Sequence, residues 1–412
     1  MDSKQGLFVK YSEGLLPQEE KLEIKRQQTT LTIGIPKEVL KSENRIALVP
    51  EAVSLLVSNG HKVIIEDEAG IAAHFENREY AEAGATIVFT HEEVFKADII
   101  LKVAPLDVSE MCLLKPRQTV ISALNIANRN KDYFKNLVSK RVTALAFEYI
   151  KDKTKTYPIT RSISEIAGNT SILLAADYLS DLKYGNGIML GGVSGITPTE
   201  IVIIGAGTVG EYAARAAIGL GAYVKLFDNS IYKLRRLQNN LNERIFTSII
   251  QPKVLLKALK TAHVLIGAIH SNNGRTPCVV TEEMVKQMKQ GSVIIDVSID
   301  QGGCVETSEV TSHINPVFIK HGVTHYCVPN ISSRVPQTAS YALSNCFAPI
   351  ILNISEAGGV ESMLKSDYGV LQADSLFVLQ DSKLVFVWVL IALNDYLLRE
   401  GYQLCLALFQ SD

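Results

Sequence analysis

The chain of 412 residues has a single tryptophan, and its six cysteines, Cys112, Cys278, Cys304, Cys327, Cys346 and Cys405, stand apart with no tight pair among them. That scatter gives no sign of a disulfide framework, and reduced thiols in a cytoplasm are the expectation. An excess of one charge is also missing. Lys and Arg number 41 against 43 Asp and Glu, for a formal net charge of -2, so neither a polyanion-binding surface nor a disordered tail is indicated, and no nucleic-acid partner is expected. The polar, charged N-terminus lacks the pattern of a signal peptide. The apolar run from Leu384 to Leu393 ends at Asn394-Asp395, well short of the roughly twenty residues that a spanning helix needs; no membrane partner is expected. His321, His325 and Cys327 lie close together, but their alternation around Tyr326 and Val328 suits a strand, and with no second ligand cluster no metal is expected.

What the sequence does have is a nucleotide signature. Ile201-Val202-Ile203-Ile204 is a β-branched run followed by Gly205-Ala206-Gly207-Thr208-Val209-Gly210, the spacing GxGxxG, and then by an alanine-rich helical stretch from Glu211 to Leu220 that stops at Gly221. Gly205 suits the tight turn, Gly207 the approach of a pyrophosphate, and Gly210 close packing of helix on strand. The next apolar run, Tyr223 to Phe227, delivers Asp228. A carboxylate there accepts bonds from a ribose diol and repels a 2′-phosphate, so NAD is expected rather than NADP. A lone glycine pattern is weak. The strand before it, the helix after it and the acid at the right distance make it specific.

The remainder alternates strand and helix. Residues 1–30 read as an N-terminal extension, 31–163 as the first part of a substrate domain and 164–330 as an NAD-binding Rossmann domain. Residues 331–370 read as a return to the substrate domain and 371–412 as an atypical apolar tail. Strands are expected near Leu31, His61, Ile87, Ile99, Val120 and Val142, with a helix opening at Pro50-Glu51 and closing at Asn59-Gly60. A long helix is expected to start at Ser164, capped by Ser162 or Ser164, and to join the two domains. The alternation predicts an α/β fold of two Rossmann-like doubly wound domains, the substrate domain discontinuous in sequence. Ligands in such sheets bind beyond the carboxyl ends of strands. Arg45, Lys102 and Asn125 each follow a strand and so are candidates.

Several segments together resemble the alanine dehydrogenase/NAD(P) transhydrogenase alpha-subunit family, and within it the alanine dehydrogenase branch. They are Gly34-Ile35-Pro36-Lys37-Glu38, Glu43-Asn44-Arg45-Ile46-Ala47-Leu48, Leu101-Lys102-Val103, Gly191-Gly192-Val193, the glycine loop, and Ile299-Asp300-Gln301-Gly302-Gly303-Cys304. The resemblance spans about residues 31–359. It implies an NAD-dependent enzyme that interconverts L-alanine with pyruvate and ammonia, built as a homohexamer. Arg45 matches the residue that grips the substrate carboxylate, Lys102 the one that hydrogen-bonds the substrate, and Asp300 the acid beside the nicotinamide. Ser164, Asp228, Lys233 and Asn330 match positions near the cofactor. The family's acid–base histidine corresponds to Asn125, which cannot titrate. Lys102 or His270 are the conceivable substitutes.

Chemistry asks independently for some of these groups. A planar carboxylate is well held by a guanidinium fork, although Arg45 could simply form a surface ion pair with Glu43. Asp300 could be a turn residue and Asp296 a structural one, and His270 reads most simply as an exposed loop residue. Alternative functions are a related imine or 2-oxo acid reductase, a transhydrogenase nucleotide-binding component, and an NAD-binding scaffold weakened in catalysis by Asn125.

Overall fold

The computed structural model describes residues 29–366, apart from 126–128, 153 and 272–273, together with residues 376–377. The extension expected at the N-terminus, but for residues 29–30, and the apolar run from Leu384 to Leu393 lie outside the described residues.

Short β-branched runs bounded by turns form the strands. The first sheet contains β1 (Thr32–Ile35), β2 (Lys62–Glu66), β3 (Thr86–Val88), β4 (Ile99–Leu101), β5 (Thr119–Ser122), β6 (Thr143–Ala146) and β14 (Leu376–Phe377), in the order β14-β6-β5-β4-β1-β2-β3. All pairings are parallel except that of β14 with β6. The second contains β7 (Glu200–Ile204), β8 (Tyr223–Phe227), β9 (Phe246–Ser248), β10 (Val264–Gly267), β11 (Val293–Asp296), β12 (Val317–Lys320) and β13 (Val323–Tyr326), in the order β12-β13-β11-β10-β7-β8-β9. Here only the β12–β13 pair is antiparallel.

Alternate side chains of a strand point to opposite faces, so a sheet covered on both sides needs two cores. Ile99 and Leu101 enter one cluster and Ile100 the other. Ile201 and Ile203 enter one cluster of the second domain, Val202 and Ile204 the other. This is why the strands read as continuous apolar runs.

Two helices join the domains. The helix Pro158–Ser180 packs Ile159 and Ile163 into the first core and Ala167, Ile172 and Leu174 into the second. It begins six residues earlier than the serine cap expected at Ser164: Pro158 takes the first turn, where its missing N–H costs nothing, and Ser162 instead donates to the Pro158 carbonyl at 2.9 Å. The helix Pro336–Glu356 then carries the chain back, burying Leu343, Phe347, Ile351 and Ile354 in the first domain. Discontinuity of that domain follows directly. Thr281 caps a short helix, Glu282–Val285.

In each sheet the strand order reverses once. In the first sheet β1 and β4 are neighbours and the chain runs outward from them in both directions; in the second, β7 and β10 are. Loops after those strands part there and leave a crevice at the carboxyl ends.

Candidate active site

At the second domain's crevice the glycines meet distinct demands. Gly205 has φ 113°, a conformation that L side chains rarely adopt. A Cβ on Gly210 would overlap the Gly205 carbonyl oxygen, whereas one on Gly207 would meet no protein atom within 4 Å. Gly207 therefore leaves open the space in front of the helix Thr208–Gly219, whose first-turn N–H groups and dipole favour an anion. Asp228 ends β8. Its Oδ2 accepts from the Ala206 N–H at 2.7 Å and its Oδ1 from the Ser230 N–H at 2.7 Å. Each oxygen retains acceptor capacity for a ribose diol. Open glycine, helix N-terminus and anchored carboxylate fit a dinucleotide without a 2′-phosphate.

The first domain's crevice holds charge. Arg45 lies in the loop after β1, and its guanidinium makes two bonds to one carboxylate: Nε to Glu43 Oε1 and Nη2 to Glu43 Oε2, both at 2.6 Å. The pair anticipated between these residues is present, but buried, with Arg45 at 9% and Glu43 at 6% exposure, not on the surface. Burial pulls the guanidinium pKa down, and the adjacent Glu43 charge more than offsets this, for a net rise. Nη1 donates to Ser332 Oγ at 3.0 Å. Three of five donors are thus engaged, leaving two for a ligand carboxylate.

Lys102 follows β4 directly and is buried at 2% exposure. Its Nζ donates to Glu110 Oε1 and Oε2 at 2.6 and 2.7 Å and stands 3.4 Å from Glu38 Oε2. Glu38 Oε1 accepts from the Val103 N–H at 2.6 Å. Its Oε2 is buried without a hydrogen-bond partner. Burial raises the Glu38 carboxyl to about 7, against the lowering effect of Lys102 and with Glu43 adding to the rise.

The second domain reaches across to this cluster. Asp300 Oδ1 accepts from the Asn330 N–H at 2.8 Å, and Asn330 Nδ2 donates to Glu43 Oε2 at 2.8 Å. Asp300 is exposed to solvent; the protein atoms that surround its carboxyl raise its pKa, against the Asn330 bond and the Arg45 charge. Asp296 instead takes a structural position. It is buried at the end of β11 and accepts from the Ser298 and Cys304 N–H groups and the Ser308 hydroxyl.

Arg45, Asp300 and Asn330 are thus one connected group through Glu43, and Lys102 adjoins it through Glu38. Asn125 lies past the end of β5, next to β4, with φ 48°; its N–H donates to Glu148 Oε1 at 2.8 Å and the residue is exposed. Ser164 is half-buried on the joining helix, between the residues that serve the two cores. Lys233 sits in the first turn of the helix Ile231–Leu241, its N–H on Ser230 Oγ at 3.3 Å. His270, beyond β10, is an exposed loop residue. The protein atoms around the ring and then the Lys233 charge lower its pKa, which sets it near Lys233.

Sequence reasoning passed over Glu38, Glu110 and the serines that pin the Arg45 loop. Ser333 Oγ accepts from the Asn44 N–H at 2.8 Å, Ser340 Oγ from Ile46 at 2.9 Å and Ser344 Oγ from Val49 at 2.8 Å. Two signals were there to read. Asp107 and Glu110 are spaced as a capping box, which they form, and Ser340 and Ser344 stand four apart on one helix face.

Two Rossmann-like domains with facing crevices, one shaped for a dinucleotide and the other lined by a guanidinium, an ammonium and carboxylates, define the class of two-domain nucleotide-dependent oxidoreductases. Comparison with known proteins makes the class specific. The N-terminal domain model of the alanine dehydrogenase/PNT family matches residues 34–167, and its C-terminal domain model matches residues 171–383. The chain belongs to this family. The alanine dehydrogenase of Bacillus subtilis (strain 168) is 40% identical over 334 residues, 81% of this chain and 88% of that one. That of Methanococcus maripaludis is 40% identical over 338 residues, 82% and 90% of the two chains. A solved L-alanine dehydrogenase structure matches with a TM-score of 0.77 and 36% identity, covering 83% of this chain and 94% of that one. The transhydrogenase from Sinorhizobium meliloti shares the fold, with a TM-score of 0.69 at 23% identity over 79% of this chain and 94% of that one.

Proposed function

We propose that this chain is an NAD-dependent alanine dehydrogenase that interconverts L-alanine with pyruvate and ammonia. One observation carries the reading: the Arg45 fork and the Lys102 ammonium lie at one crevice, and Asn330 of the nucleotide domain, itself bonded to Asp300, donates to the Glu43 carboxylate that holds Arg45. When bound, the nicotinamide supplies the hydride acceptor or donor at the substrate α-carbon. The chain's own residues do the rest. Gly205, Gly207 and Gly210 shape the pyrophosphate turn, Asp228 takes the ribose diol, and Ser164, Lys233 and Asn330 line the cofactor's path. Arg45 holds the substrate carboxylate with its two remaining N–H groups, Lys102 hydrogen-bonds the carbonyl or amine, and Asp300 organises the site.

Asn125 stands where the family resemblance places a histidine, and it supplies a hydrogen bond without a proton. That favours, as a second reading, an NAD-binding scaffold with weakened catalysis. A continuous NADH assay with pyruvate plus ammonium, with other 2-oxo acids as controls, separates the two. Turnover with pyruvate supports the dehydrogenase, and no turnover with any of them overturns it. Arg45→Lys, which keeps the charge and loses the fork, raises KM for pyruvate by about 10²-fold. The protein works in the cytoplasm as a homohexamer. Exposed Leu173, Leu182, Met189 and Ile196 support contacts between copies, and no helix among the described residues is long and apolar enough to cross a membrane.

A further inference from the structure

A second chain of charged groups adjoins Lys102. Glu110 is fully buried, at 0% exposure, and its Oε1, 2.6 Å from Lys102 Nζ, also stands 3.3 Å from His91 Nε2. The other ring nitrogen, His91 Nδ1, lies 2.6 Å from Glu66 Oε2. That same oxygen takes the Lys37 N–H at 2.8 Å, and Phe95 stacks on the imidazole with ring centroids 5.3 Å apart. Three elements fix the arrangement. His91 opens the short helix His91–Val94, Glu66 ends β2, and Glu110 sits in the helix Val108–Leu113, whose capping box holds Asp107 against it.

A buried carboxylate next to one ammonium is costly unless its remaining lone pairs are filled. Lys102 itself faces two carboxylates, Glu110 and Glu38, and which of them it follows decides where its Nζ sits. We infer that His91 is a positioning residue for Lys102: flanked by Glu66 and Glu110, its doubly protonated ring locks the Glu110 carboxylate in the plane that holds the Lys102 ammonium at the substrate crevice. The charged groups facing His91 are Glu66 from β2 and Glu110 from the neighbouring helix, with Lys102 behind Glu110; Glu92 and Glu93 follow it on its own helix. The ring is half-buried, 21% exposed, so solvent reaches it, whereas Glu110 and Lys102 are covered. The hydrogen bonds that the ring donates to Glu110 and then to Glu66 raise the His91 pKa to about 9. The inference rests on the dehydrogenase reading for its catalytic consequence, but not for its structural one.

Both consequences are measured on the full chain. Trace acetylation with acetic anhydride at pH 8, read by peptide mass spectrometry, compares Lys102 with the exposed reference Lys257. In the native protein Lys102 is labelled at about one tenth of the reference rate or less. In His91→Gln, which keeps an N–H for Glu110 but no charge, Lys102 labelling rises about threefold or more while Lys257 is unchanged, and kcat/KM for pyruvate falls about tenfold. His91→Phe, which retains the stack on Phe95, gives the same rise in labelling should His91→Gln fold poorly. Lys102 labelling within twofold of native in both variants overturns the inference. Increased labelling in a protein whose native form turns over no 2-oxo acid supports the link from His91 to Lys102 and overturns the dehydrogenase reading instead.

Discussion

Glu38 is the side chain whose chemistry the structure changes most. Its carboxyl binds a proton more tightly in the folded chain than in the unfolded one, so its contribution to stability is present below about pH 4.5 and is lost as pH rises through about 7. His91 acts in the same direction: a raised imidazole pKa contributes fully below about 6.5 and is lost as pH rises through about 9. Thermal midpoints therefore decline between about pH 4.5 and 9. Glu38→Gln flattens the part of that decline below about pH 7 and leaves the part above it; an unchanged profile contradicts the assignment. Asn125→His tests the other end of the site. His is among the residues that tolerate positive φ, so the φ of 48° admits it, and a titrating group there raises kcat by on the order of 10²-fold. No gain in rate would show that the acid–base group lies elsewhere. Arg45 and Lys102 were legible in the sequence as charged residues past strand ends. The pairing of Arg45 with Glu43 was legible too, but its burial was not, because Arg45 and Glu43 bond to Ser332 and Asn330, nearly three hundred residues further along the chain.

Among the elements, the glycine turn gives the sharpest contrast. Gly210→Ala forces a Cβ against the Gly205 carbonyl and Gly207→Ala does not. Calorimetry on both is expected to show Gly210→Ala unfolding several degrees lower, for about 1–3 kcal/mol of strain. Gly207→Ala keeps its melting temperature within about 2 °C and weakens NADH binding by about tenfold, because the new methyl occupies the space left for the pyrophosphate. Equal losses of stability in the two variants would contradict this division of labour. Strands and the turn were readable because buried parallel strands are apolar runs. Helix starts were harder: Ser162 resembled a cap, yet Pro158 opens the helix and the serine bonds backward within it. The strands Phe246–Ser248 and Val317–Lys320 escaped notice because they lie at the sheet's edges and only partly bury their side chains.

For the whole molecule, the strand alternation carried the two-domain α/β architecture, and the crossing helix after Asn330 carried its discontinuity. What the pattern could not carry was how the domains meet, since Asn44, Arg45 and Glu43 bond across to Ser333, Ser332 and Asn330 by polar contacts that leave no periodicity. Sedimentation equilibrium tests the assembly. A particle six times the 45.2 kDa chain mass is expected, and a monomer at micromolar concentration contradicts it. The most direct test of the central proposal follows the atoms. Incubated with NADH, pyruvate and 15N-ammonium, the protein is expected to yield L-alanine carrying 15N, one molecule for each NADH consumed and none when ammonium is left out. NADH binding without labelled alanine, or NADH consumption that does not depend on ammonium, would contradict it.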